Sequence, residues 1–280
     1  MKWRGRTASS NVEDRRGMGG KGIGIAGGGF GLVIALIYMF LGGGNPGDIL
    51  NGAVDNGSQG EYVETDQEKE LANFASVVLA DTEAVWSDIF ADQGKEYVEP
   101  TMVLFSGSVN SGCGSASAAM GPFYCPADQK LYIDLSFYEE LKNRFDAPGD
   151  FAMAYVIAHE VGHHVQSLLG TSQQVSDLRG KVSKAEYNEA SVRLELQADY
   201  YAGVFAKYAQ GEGYLEAGDI EEAMNAASGV GDDAIMEDAG MEVNPESFTH
   251  GTSEQRMRWF EKGYENGTIK GGDTFSAKEL

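Results

Sequence analysis

The sequence predicts an α+β fold, mainly helical, with a small sheet, a helix carrying the motif HExxH, and one apolar helix near the N-terminus that stands apart from the rest. Three observations carry this. Residues 150–209 are dominated by helical spacing of apolar positions; two short runs, Thr101–Phe105 and Lys130–Asp134, are rich in branched and aromatic residues and bounded by turn chemistry; and Ile23–Leu41 is a run of 19 residues without a charge. At 280 residues with 42% hydrophobic content, the chain can bury the core of one large domain or two small ones. Its formal charge of −22 produces a negative field that repels phosphate backbones, which excludes nucleic acid as a partner.

In chain order, residues 1–21 carry Lys2, Arg4, Arg6, Arg15, Arg16 and Lys21 against Glu13 and Asp14, a local charge of +4 in an otherwise acidic chain. They read as a basic cytoplasmic tail. Residues 22–44 follow as a transmembrane anchor, since a helix of about 20 apolar residues spans a bilayer. Gly22, Gly24 and Gly27 have the spacing of a dinucleotide-binding turn, but no strand precedes them and no amphipathic helix follows. Gly27 and Gly31 form a GxxxG pair through which two spans could approach as a homodimer. With positive charge before the span and Asp48, Asp55, Glu61 and Glu64 after it, the expected location is a single-pass plasma (inner) membrane protein, N-terminus cytoplasmic and C-terminal domain extracytoplasmic. The two cysteines, Cys113 and Cys125, are close enough in sequence to bridge in an oxidising compartment; two buried thiols are the alternative.

Residues 45–68, rich in Gly, Asn and Asp, read as a flexible linker, and residues 69–280 as the folded domain. Glu68–Asp92 has the apolar spacing of an amphipathic helix. Asp150 is placed to cap a helix on which Tyr155, Ala158, Gly162, Val165 and Leu169 form one stripe. That helix holds AYVIAHEVGHHVQ, three of the chain's four histidines. His159 and His163, four residues apart, share a face and can present two imidazoles to one point; His164 is turned about 100 degrees further and cannot. Glu160, beside the first of them, can reach a water on a metal rather than the metal. This is the helix-borne zinc motif of metallopeptidases. Gln166 and Leu169 stand where a metzincin would have Gly and His, which rules that subclass out.

A third ligand is expected in Tyr187–Ala209, a helix by propensity, where Glu195 and Asp199 interrupt an apolar stripe. Glu195 would complete a His, His, Glu set, and Asp199 could accept a hydrogen bond from a ligand imidazole. The bland alternative is a solvated acidic face shared with Glu186 and Glu189. Elsewhere, Asp232 and Asp233 after Gly231 suggest a helix start, Thr252 to Gln255 a capping box, and Trp86, Trp259 and Phe260 core anchors.

The ordered set HEVGHH, ELQAD and FTHGTSEQRMRWF, with GCG and GPFYCPADQKLYIDLSFYEEL upstream, resembles the bacterial neutral zinc metallopeptidase family, the YpfJ-like proteins, over essentially the whole chain. HExxH, then ExxAD, then a late His-x-x-Ser-x-x-Arg element is also similar to the HtpX-type membrane gluzincins, although HGTSEQR here lacks their proline-rich form. The resemblance implies a zincin-like domain binding one Zn²⁺ per chain through His159, His163 and Glu195, with Glu160 as general base in hydrolysing a peptide or protein substrate. His250 is the candidate oxyanion donor, with Tyr200 and Tyr201 as rivals, and Arg256 could pair with one of the site's acids. The rival reading is a non-catalytic module with a structural metal that binds or scaffolds an envelope protein.

Overall fold

A computed structural model of the chain describes residues 1–17, 62–145 and 147–280. Its main sheet has the order β1 (Val12–Asp14), β2 (Thr101–Phe105), β6 (Lys130–Asp134), β5 (Phe123–Cys125), and β3 (Ser108–Ser111) and β4 (Gly114–Ser117) form a separate antiparallel hairpin. β2 and β6 coincide with the two strands expected from the sequence and pair in parallel, Thr101 opposite Lys130. Parallel strands covered on both faces read as near-continuous apolar runs, as TMVLF does. Alternation divides them between two cores: Met102, Leu104, Leu131 and Ile133 face the main one, while Val103, Phe105, Tyr132 and Cys125 form a smaller one on the other side. Cys125 is bridged to Cys113 with an S–S distance of 2.06 Å.

The helices are α1 (Asp66–Ala91), α2 (Phe137–Asn143), α3 (Asp150–Leu169), α4 (Thr171–Ser176), α5 (Lys184–Gly211), α6 (Asp219–Gly229), α7 (Asp232–Asp238) and α8 (Ser253–Asn266). Capping boxes open three of them: Thr65 with Glu68, Ser183 with Glu186, and Thr252 with Gln255. α3 begins differently from the expectation. Gly149 holds the cap position and Asp150 is the first helical residue; the free N–H of Phe151 donates instead to Glu222 Oε2 of α6, at 3.0 Å. α3 is buried nearly all round, so its apolar residues fill every face rather than one stripe. α5 and α8 cross in backbone contact: a Cβ added to Gly203 would lie 2.0 Å from the Phe260 carbonyl, and one on Gly263 would lie 1.9 Å from that of Tyr200. Trp86 and Phe260 are fully buried and Trp259 is 3% exposed, as core anchors should be.

The N-terminus requires a correction. Residues 1–17, the described part of the expected cytoplasmic tail, belong to the domain. β1 pairs in parallel with β2, Val12 opposite Met102, and Met1 and Trp3 are buried in the main core, Trp3 edge-on to Phe74 at 5.5 Å. The basic residues that suggested a tail pair with acids of the same body, Arg6 with Asp81 and Arg16 with Asp14 and Glu64. Residues 1–17 and 62–280 therefore lie on one side of any membrane, not on opposite sides. The expected anchor, its GxxxG pair and the linker as far as residue 61 lie outside the described residues, and the linker's last residues, Asp66 to Glu68, open α1. Among the described residues no helix is long and apolar enough to cross a membrane.

If residues 1–17 are structural, Trp3→Ala should destabilise the protein by about 3 kcal/mol, the lower end of what removing a buried tryptophan costs. Urea unfolding measures this, and an unchanged midpoint would return the segment to the status of a tail.

Candidate metal centre and cleft

α3 and α5 run antiparallel, so that Tyr155 meets Asp199, His163 meets Glu195, and Gln166 meets Leu194. Gly162 permits the approach: a Cβ there would stand 3.0 Å from the Ala198 carbonyl oxygen. The short separation brings Glu195 within reach of both imidazoles. Its Oε2 lies 3.2 Å from His159 Nε2 and its Oε1 3.4 Å from His163 Nε2.

The outer nitrogen of each ring decides what the inner one offers. His159 Nδ1 is 2.8 Å from Asp199 Oδ1. Asp199 is fully buried; burial raises its pKa, but Arg256 and His159 outweigh it and hold the carboxyl down at about 2. An ionised carboxylate only accepts, so His159 donates through Nδ1 and turns the Nε2 lone pair inward. His163 Nδ1 is 2.9 Å from Gln166 Oε1, and the amide's orientation follows from its nitrogen, which donates to the Leu194 carbonyl at 2.6 Å. His163 therefore also turns Nε2 inward. Two nitrogen lone pairs then face two carboxylate oxygens, a repulsive arrangement unless a cation lies between them. Burial opposes charge on His163, yet Glu195 raises it to about 9, and His163 and His159 hold Glu195 well below the usual carboxylate range. The cluster is built around positive charge. Two imidazole nitrogens and one carboxylate, with outer nitrogens donating to fixed acceptors, fit zinc with a position left open.

The three groups line a cleft of about 550 Å³, on whose wall Glu160 also lies. Glu160 is 8% exposed and makes no hydrogen bond to the described residues. His250 lines the same cleft, its Nδ1 3.1 Å from Asp232 Oδ1. Asp232 Oδ2 accepts from the backbone N–H groups of Thr249, His250 and Gly251 at 2.7, 2.7 and 3.0 Å, which locks the loop that presents His250. Burial opposes charge on His250, but Asp232 and Glu195 outweigh it and raise its pKa.

Tyr200 and Tyr201 face elsewhere. The Tyr200 hydroxyl donates to the Thr268 carbonyl at 2.8 Å, and Tyr201 packs edge-on to Trp86 at 5.3 Å. His164 points away from the cluster and donates through Nε2 to the Val98 carbonyl at 2.6 Å, leaving Nδ1 to accept from the Tyr124 hydroxyl at 3.0 Å. Arg256 reaches Asp199 with Nε at 2.9 Å and Nη2 at 3.0 Å. Sequence reasoning missed three contributors. Gln166 was considered only as a non-ligand, Tyr155 only as part of an apolar stripe, and Asp232 only as a helix start. A buried amide three positions after the second histidine was the one available signal.

Residues 1–275 match the family described as "Putative neutral zinc metallopeptidase". The chain belongs to that family. It is 45% identical over 283 residues to the uncharacterized protein YpfJ of Escherichia coli strain K12, covering 98% of this chain and 99% of YpfJ. It is also 44% identical over 211 residues to the uncharacterized protein Mb2605 of Mycobacterium bovis, covering 71% of this chain and 68% of that protein. No solved structure matches. Zinc and a peptidase of this general kind are what membership of the family supports.

The geometry leads to a graded set of zinc affinities. Alanine at His159, His163 or Glu195 should nearly abolish binding, whereas Asp199→Ala and Gln166→Ala, which only orient the imidazoles, should weaken it by about 10 to 100-fold. Competition against a chromophoric chelator would measure the series. Full affinity in Glu195→Ala would remove it from the metal set.

Proposed function

We propose that the protein is a zinc-dependent peptidase of gluzincin type, with one zinc held by His159, His163 and Glu195 and Glu160 acting as general base. The observation that carries this reading is Glu160: a carboxylate directly after His159, on the cleft wall, whose oxygens accept no hydrogen bond from the described residues. A structural metal site has no use for such a group, whereas hydrolysis requires one. Zinc, when bound, supplies Lewis acidity towards a peptide carbonyl and makes water a better acid. Glu160 takes the proton of the attacking water and returns it to the leaving amine. Asp199 and Gln166 hold the two ligand imidazoles in the tautomer that points Nε2 inward. His250, kept prone to protonation by Asp232, donates towards the negative charge that develops on the carbonyl oxygen.

The proposal includes attachment to a membrane from one side through residues 22–44, supported by their lack of charge, without the single crossing that would part β1 from the rest, and an oxidising compartment for the folded body, β1 included, supported by the Cys113–Cys125 bridge. In protein recovered from cells without reductant, neither cysteine should react with an alkylating agent until the bridge is reduced. Two free thiols would count against the compartment.

Glu160→Gln preserves shape but removes the base. It should retain zinc and fold while losing at least about 10²-fold in peptide hydrolysis, measured by mass spectrometry on a peptide library with and without chelator. A variant that cleaves as fast as the unaltered protein, or unaltered zinc-loaded protein that cleaves nothing, would sink the catalytic assignment and favour the structural module.

A further inference from the structure

The chain holds nine arginines. Eight of them pair with a carboxylate: Arg4, Arg6, Arg15, Arg16, Arg144, Arg193, Arg256 and Arg258. With 43 acidic residues available, that is the expected outcome. The exception is Arg179, in the connection between α4 and α5. Among the described residues it meets no acid. Its guanidinium donates to the Tyr187 hydroxyl instead, through Nε at 3.3 Å and Nη2 at 3.0 Å, and lies 5.5 Å from the centre of that ring. A neutral phenol positions the cation without neutralising it.

Arg179 also lines the cleft that contains the metal cluster. It does so at one chemically distinct end. There the C-terminal turns of α3, the short α4 and the N-terminal turns of α5 contribute Ser167, Ser172, Ser176, Ser191 and Tyr187. Beyond the ligands, towards the N-terminal half of α3, the wall is Phe137, Phe145, Val156, Val230 and Ile235. His159, His163 and Glu195 stand between a hydroxyl-rich end with one uncompensated cation and a largely apolar wall whose two cationic groups, Arg256 and His250, are each paired with an acid.

We propose that Arg179 is the substrate anchor of this cleft and binds a carboxylate of the peptide, either an acidic side chain or the C-terminal carboxylate. The assignment rests on the peptidase reading above and narrows its substrate class. A protein of charge −22 repels anionic peptides at long range, so a carboxylate is accepted only where a local cation is left free for it. The guanidinium fork matches a carboxylate in two parallel hydrogen bonds, and Arg179 Nη1 donates to nothing among the described residues. The serine hydroxyls around it can solvate the second oxygen.

The test separates binding from turnover. The full chain carrying Glu160→Gln, loaded with zinc, is titrated with fluorescent peptides that share one apolar residue, carry Glu or Gln at the remaining positions, and end in a free or amidated C-terminus. Anisotropy reads affinity. Peptides with the recognised carboxylate should bind about tenfold more tightly than their neutral counterparts. Adding Arg179→Gln should erase that preference, whereas Arg4→Gln, which makes the same change in net charge at an exposed position, should leave it intact. Loss on amidation identifies the C-terminal carboxylate, and loss on Glu to Gln exchange in the peptide identifies a side chain. No preference, or one that survives Arg179→Gln because the carboxylate ligates the metal instead, overturns the proposal. Hydrolysis of the same peptides by protein with Glu160 intact is scored separately. Carboxylate-dependent binding without any cleavage would reject the peptidase reading and keep Arg179 as an anion-binding residue.

Discussion

One buried carboxylate organises this molecule. Asp199 has no exposed surface and accepts from four donors: the Tyr155 hydroxyl at 2.6 Å, His159 Nδ1 at 2.8 Å, and Arg256 Nε and Nη2 at 2.9 and 3.0 Å. These donors come from α3 and α8, while Asp199 itself is on α5, so a single charge joins the three helices that form the site's frame. A buried ion pair stabilises little compared with an apolar replacement, but loss of one partner leaves the other unpaired at a cost of about 3–5 kcal/mol. The group that orients His159 and the group that holds the helices together are therefore the same. Arginine suits the position because its fork addresses both oxygens at once, which a lysine ammonium does not.

The loop before α8 repeats the device with another carboxylate. Asp232 takes three backbone N–H groups with one oxygen and the His250 ring with the other, so that a loop residue is held about as firmly as a helical one. In both pairs the acid is fully buried and the imidazole reaches the cleft. The two imidazoles differ in what lies beyond them. His159 faces Glu195 across a gap suited to a cation, while His250 keeps one nitrogen for whatever enters the cleft.

How much of this could be read in advance depended on the range of the interaction. Features encoded within a few residues were visible: the helical spacing around HExxH, the strands at Thr101–Phe105 and Lys130–Asp134, though not their parallel pairing, and the capping box at Thr252. Glu195 and Asp199 were visible for a different reason, since two acids inside an apolar stripe of one helix require partners wherever those partners are. What stayed hidden needed contacts across the chain. Arg6 and Asp81 are 75 positions apart, and β1 is only three residues long, too short for any alternation to show. Six basic residues in the first 21 resembled a membrane-flanking tail because charge counting does not register a partner. Gln166 and Asp232 were invisible as site residues because an amide and a helix-start aspartate have ordinary local uses.

The distribution of charge gives the cleft a direction. Acids outnumber bases 43 to 21, and eight of the nine arginines are consumed in pairs. Arg256 lines the cleft but is spent on Asp199, and His250 is balanced by Asp232, so neither adds net positive potential to the space between α3 and α5. Arg179 does, because its only hydrogen-bond partner among the described residues is a neutral hydroxyl. On the reading proposed above, a peptide in the cleft meets the His159, His163 and Glu195 cluster and, at one end, an open guanidinium. A chain bound in reverse would leave Arg179 without a counter-charge. On the peptidase reading proposed above, that unpaired charge disfavours one of the two orientations, so Arg179 would set the direction in which a peptide lies.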